Sequence, residues 1–208
     1  MSIIHKATLV PSKLELLTDW LPVQPWYQGQ DNPHLSVVGG FRLDDPDGEV
    51  GLEFMAVRDE NDLTYYMVPL TYRCAPLPGD DALEHLVGTL DHSVLGKRYV
   101  YDGPHDHVWR EAVAALLDGE AEPQARGVSD TRDLTVQLMP GTESGEVGEG
   151  TVNRVPVPGE VEGPGVVIPV DGPEGEAFPV LVLRGVSGVA GGLTPGSRGS
   201  TGGYRPGC

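Results

Sequence analysis

The chain has 208 residues, with 14 Lys and Arg against 31 Asp and Glu, giving a formal charge of −17. That length holds one domain or two small ones around a sizeable core. The acidic excess argues against nucleic acid and anionic membranes as partners, because both are gripped through clustered Lys and Arg.

A hydrophobic fraction of 39%, with 29 glycines and 19 prolines, describes a globular core carrying irregular segments. No apolar run approaches the roughly 18–20 residues of a spanning helix. Lys6, Pro11 and Lys13 interrupt the start of the chain, so no signal peptide is read there. Cys74 and Cys208 are the only cysteines, too few for a disulfide scaffold or a thiolate metal site. Cys74 reads as an isolated, half-buried side chain. The expectation is an acidic, soluble, cytoplasmic protein whose oligomeric state the sequence leaves open.

In chain order, Ser12-Lys13-Leu14-Glu15 has the form of a capping box. Leu14, Leu17 and Leu21 follow at helical spacing, and Pro22 stops the helix. Three extended segments come next, at 35–43, 49–58 and 63–73. Asp45-Pro46-Asp47-Gly48 and Glu60-Asn61-Asp62 supply the turns between them. Val50, Leu52 and Phe54 alternate with Gly51, Glu53 and Met55, a half-buried pattern. Short connections favour an antiparallel meander. Asp80 reads as the cap of a short helix reaching Val87, and 94–101 as extended. Pro104 suits a first helical turn, Val108, Ala112, Ala115 and Leu116 form an apolar stripe, and Gly119 is the C-terminal cap. The fold class is α+β: an antiparallel β-meander with flanking helices, followed by a Gly/Pro/Val-rich β or irregular C-terminal segment.

Composition divides the chain into a first domain at 1–123, a polar linker at 124–150, a small β-rich segment at 151–189 and a flexible tail at 190–208. The stretch from 141 onward holds 18 of the 29 glycines. Strand-like runs lie at 151–157, 165–170 and 178–186, and both a small sheet and a poorly ordered tail are open readings. No acid occurs after Glu176, so the end of the chain reads either as a low-complexity tail or as an out-of-frame reading of GC-rich DNA.

His92 follows Asp91, and His105 and His107 flank Asp106 with Asp102 just upstream. On a helix, positions 105 and 107 point about 200° apart, so acids decorating a helix N-terminus is the better reading than a metal site. Trp20, Trp26 and Tyr27 in WLPVQPWYQGQ suit either core contact or stacking on a sugar or a partner. Lys97-Arg98 suits a surface salt bridge better than a phosphate site. Asp91, His92 and Ser93 are adjacent and cannot build a triad. The chain carries no G-x-S-x-G elbow, no phosphate-binding glycine loop and no kinase catalytic loop.

The run TYYMVPLTYRCAPL (64–77) contains Y-x-x-P-L-x-Y-R, and 85–120 contains G-T-x-x-H-S-V-L-G-x-R-x-V-Y-D-G-x-H-D leading into a helix. With IHKATLVPSKLELLTDWLP and the GGFRLDDPDGEVGLEFM hairpin, these resemble the maltokinase N-terminal cap-like family over roughly 1–135. The resemblance implies a kinase-cap fold and a place beside α-glucan, maltose and trehalose metabolism. In maltokinases the cap precedes an intermediate subdomain and a catalytic lobe, which supplies the Asp and Mg²⁺ ligands. This chain is about half that length and has no such lobe, so catalysis on its own is not expected. The runs at 128–136 and 178–186 echo the intermediate subdomain. Arg184 then falls where a kinase places a nucleotide-contacting Lys, a role that Arg does not simply take over.

The expectation is a non-catalytic cap-like protein acting through an oligosaccharide or a protein of the α-glucan/maltose pathway. It has no cofactor and no metal. The alternative is part of a split or degenerate sugar kinase, which alone would bring Mg-ATP. Trp26, Tyr27, Arg98, Tyr101, Asp102 and His105 are the candidate ligand-binding residues, chosen as polar and aromatic groups on loops and strand ends.

Overall fold

The computed structural model describes residues 7–139, 145–157, 159, 165–171 and 177–184, the last group as backbone only. The tail at 190–208 and most of the acid-free terminus lie outside the described residues. After a two-residue strand β1 (Leu9–Val10), Ser12 caps helix α1 (Lys13–Trp20) as the sequence predicts. The Ser12 hydroxyl accepts the Glu15 N–H at 3.3 Å, and the Glu15 carboxylate accepts the Ser12 N–H at 2.7 Å. Leu17 and Leu21 are fully buried. Pro22 lies within a 3-10 turn, Leu21–Val23, that continues the helix instead of cutting it.

Strands β2 (Leu35–Leu43), β3 (Gly51–Asp59) and β4 (Tyr65–Arg73) form the expected antiparallel meander. Asp45 organises the first turn, its carboxylate accepting the N–H groups of Asp47, Glu49 and Val50 at 2.9–3.1 Å. Asp59 does the same for the second, accepting from His34 and Asn61.

Two expectations are corrected here. β3 is not half-buried: Leu52 through Val57 are all buried. One face packs Leu52, Phe54 and Ala56 with Phe41, Trp109 and Leu116, and the other packs Met55 and Val57 with Leu17, Trp20 and Leu21. The period-two signal therefore describes two cores, not a core and a wet face. Residues 80–85 are turns, not a helix, and lead into β5 (Leu86–His92), which pairs with β6 (Gly96–Asp102). Leu16 of α1 packs so closely on Gly88 that a Cβ there would lie 2.6 Å from Leu16 Cδ2. Tertiary contact of this kind overrides local propensity.

The first sheet runs β1-β5-β6-β4-β3-β2, a curled antiparallel half-barrel. β4 pairs with β6 only over Leu70–Arg73, leaving its first half without a strand partner on that side. Pro104 sits in a separate 3-10 turn, Gly103–His105, and helix α2 (His107–Leu117) starts after Asp106. The buried stripe is Trp109, Ala112, Val113, Leu116 and Leu117, rotated from the expected one because the Trp109 ring takes the core position over Gly103. Gly119 ends α2 with φ of +75° and donates to the Leu116 carbonyl, as expected.

The polar run from 124 is joined to the meander by isolated bridges, Arg42 with Gln124 and Gln124 with Arg132. A second sheet has the order β7 (Gln137–Leu138), β8 (Gly165–Asp171), β9 (Ala177–Arg184). Residues 151–157 are not a strand: a 3-10 turn, Glu149–Thr151, leads into an irregular run containing Pro156. β8 packs against β2, with Val166, Ile168 and Val170 in the α2-side core.

β2 bulges between Val37 and Gly39, and Gly40 there has φ of +133°. A Cβ on Gly40 would lie 2.0 Å from the Phe54 carbonyl oxygen. Gly40→Ala is expected to cost on the order of 3 kcal/mol, from backbone strain and overpacking together. Gly48→Ala serves as the control, since Gly48 also has positive φ (+69°) but nothing within 4 Å of its Cβ position. Urea midpoints separate the two, and equal losses would assign the Gly40 effect to backbone conformation alone.

Candidate functional site

Three of the six sequence candidates meet at one place, around a residue the sequence did not single out. Asp102 ends β6 and is buried. Its carboxylate accepts two bonds from Arg154, Nη1 to Oδ1 at 2.9 Å and Nη2 to Oδ2 at 2.6 Å. Arg154 comes from the irregular run after Glu149–Thr151, and its guanidinium lies over the Trp26 ring, 4.9 Å from the centroid. His105, in the turn after β6, places Nε2 3.7 Å from Asp102 Oδ2 and stacks on His85 with ring centroids 3.4 Å apart. Burial, then the neighbouring His85, lowers the His105 pKa against the upward pull of Asp102. The His105 ring therefore favours the uncharged state.

Tyr27 reaches the cluster only through Tyr66, whose ring contacts both Tyr27 and Trp26. The Tyr27 hydroxyl is engaged by the Gln30 carbonyl and Asp59, at 2.9 and 3.0 Å. Tyr101 neighbours Asp102 on β6 and so points to the opposite face. Its hydroxyl accepts the Leu77 N–H at 3.1 Å. Arg98 shares the Asp102 face but lies four residues away, about 13 Å along the strand. Arg98 donates to the Lys97 carbonyl, and Lys97 lies over the Tyr99 ring. Among the described residues neither basic side chain meets a carboxylate, so the surface ion pair expected for them is not formed there.

The motif residues turn out to be partners of one another. Arg73 forms two 2.6 Å bonds to Asp106, which is fully buried and also caps α2 by accepting the Val108 N–H at 3.0 Å. Burial pushes the Asp106 carboxyl up, but Arg73 more than reverses this and holds it below the usual range. Tyr72 donates to Glu53 at 2.8 Å, and that buried carboxylate also meets Lys13 and Arg126. Gly103 leaves room for Trp109, whose Cδ1 would lie 2.7 Å from an added Cβ. So the Y-x-x-P-L-x-Y-R and V-Y-D-G-x-H-D runs encode one buried ion pair, the Asp102 half of another, a helix cap and a ring seat.

The chemistry of this arrangement is positional. No nucleophile stands beside a base in the cluster, and Asp102 is engaged by Arg154. No group of three or more His, Cys, Asp or Glu among the described residues is placed to hold a metal ion. No helix among them is long and apolar enough to cross a membrane. Cys74, expected as an isolated side chain, is disulfide-bonded, and Cys208 lies outside the described residues. His85 and Arg154 were missed because they are far from the motif in sequence. Arg154 did carry one signal, as the single basic residue between Arg132 and Arg184.

The fold and its interlocked charge pairs define an α+β domain built on a curled antiparallel sheet. Residues 20–106, from the end of α1 to the cap of α2, match the family model of the maltokinase N-terminal cap domain. The match spans less than half of the chain, and it is to the family that the motifs resemble. No curated protein and no solved structure matches the chain.

Proposed function

We propose that this protein is a non-catalytic cap module acting by contact, with an oligosaccharide or a partner protein, in maltose, trehalose and α-glucan metabolism, in the cytoplasm. The observation that carries this reading is that charged residues of the cap motif are spent on buried ion pairs. Arg73 holds Asp106 within the motif and Asp102 holds Arg154 from outside it, so folding, not turnover, occupies those side chains. The match over 20–106 supports the link to maltokinases. The absence of a kinase catalytic loop from the sequence supports the non-catalytic part.

A thermal-shift titration of the full chain tests it, with maltose, maltooligosaccharides and Mg-ATP in separate arms. A ligand that binds only the folded state stabilises it by about 2.7 kcal/mol at a hundred times Kd. A rise in Tm with saccharide alone is the expected result for sugar contact. A flat response in every arm directs the search to a protein, by affinity capture with maltose-pathway enzymes. Stabilisation by Mg-ATP together with phosphate transfer to maltose would overturn the non-catalytic reading.

A further inference from the structure

The run 145–157 lies outside the matched span, yet it fills a gap in the sheet. β4 lacks a strand partner over Tyr65–Pro69 on the β6 side, and there Met67 donates its N–H to the Arg154 carbonyl at 3.0 Å. Thr151 and Val152 are buried beside it, and Val155 packs on the α1-side core. Arg154, nine-tenths buried, ties this run to β6 by its pair with Asp102 and lies over Trp26. The guanidinium Nε has no partner, so both side-chain hydrogen bonds of Arg154 go to that one carboxylate. Beside it stands the His85–His105 stack, bound to the same carboxylate's neighbourhood by His105.

We propose that residues 145–157 form a releasable strap, latched by Arg154 on Asp102, and that the His85–His105 stack makes the latch open in mild acid. Two imidazolium rings cannot remain face to face at 3.4 Å without strong repulsion. His85 also supplies the carbonyl that accepts the Asp102 N–H, so movement of His85 disturbs the strand end that carries the latch.

Four charged or titratable groups face His105: His85, Asp102, Glu149 and Arg154. Burial and His85 oppose its protonation most strongly; Arg154 also opposes it, while Asp102 and Glu149 favour it. Arg154 and Glu149 leave together when the strap opens, and their opposite effects offset. Separation of the two rings then sets the sign, because His85 stacked at 3.4 Å opposes protonation of His105. His105 binds a proton more readily in the open state, so opening is favoured as pH falls below the ordinary imidazole value, about 6.5. Above that value both states hold a neutral ring and the latch is indifferent to pH.

Amide hydrogen exchange on the full chain reads this directly, with rates corrected for the intrinsic effect of pH. Exchange at Met67 is expected to rise several-fold between pH 7.5 and 5.5, while amides of the β3–β4 pairing stay protected. His105→Asn should leave Met67 exchange flat across that range, and His85→Asn should reduce the response. Met67 protection that is equal at both pH values overturns the proposal. So does an undiminished acid response in His105→Asn, which would assign the opening to another group. Should either variant fold poorly, Trp26 emission in the unmodified chain gives a second reading. It should change over the same pH range as Arg154 leaves the ring, and no change there also counts against the strap.

Discussion

Asp106→Ala should cost about 3–5 kcal/mol for the broken buried ion pair and roughly 1 more for the lost helix cap. The substitution leaves the Arg73 guanidinium half-buried with no carboxylate, and leaves the Val108 N–H without its acceptor. Asp106→Asn separates the two contributions, because an amide oxygen can still cap α2 while the charge is gone. It should recover about 1 kcal/mol relative to Ala. Urea denaturation with an unchanged slope is the measurement, and a loss below about 1 kcal/mol for Asp106→Ala would mean that Arg73 finds water or another acid.

The same carboxylate sets a pH limit. Its folded pKa is depressed, so its contribution is complete above the unfolded value of about 3.9 and is lost as pH falls through the lower folded value. Asp106→Asn should flatten that part of the acid unfolding curve. An identical acid limb in the variant would place the sensitivity elsewhere, Glu53 being the next candidate because Lys13 and Arg126 depress its pKa despite burial.

Arg154→Ala is the second large effect. It strands Asp102, which is 4% exposed, beside Trp26 and the histidine stack. The expected loss is about 3–5 kcal/mol, toward the lower end where the run 145–157 lifts away and lets water reach the carboxylate. Asp102→Ala should cost a similar amount, and the double variant no more than either single one, because both singles remove the same latch. Full additivity would show that the two residues act separately. Trp26 emission adds a local readout, since both variants remove the cation from its ring face.

Much of the fold was legible because its signals are local. The Ser12 and Glu15 box, the Asp45 turn and the Gly119 cap are each settled within five residues by hydrogen bonds of fixed geometry. The meander followed from three apolar runs joined by turns too short for any other connection. β5 was missed because its identity rests on Leu16, some seventy residues upstream in the chain, pressing on Gly88. Pro104 was placed one element late for a similar reason: Trp109, not the local propensity, decides where α2 begins and which face it buries.

The candidate site shows the same division. Trp26, Asp102 and His105 are named from residue type and position, but nothing local names Arg154, around which they lie. Arg154 lies 52 residues beyond Asp102, and no periodicity or spacing connects the two.

What the sequence alone determined is the charge balance, the turn and cap chemistry, the antiparallel meander and the resemblance to maltokinase caps, all of which are properties of short windows. What only the tertiary structure decided is which charges pair, that β3 is buried on both faces, and that 145–157 closes the gap beside β4. Burial and ion pairing depend on which distant segments exclude water together. That is a property of the assembled sheet and not of any stretch of chain within it.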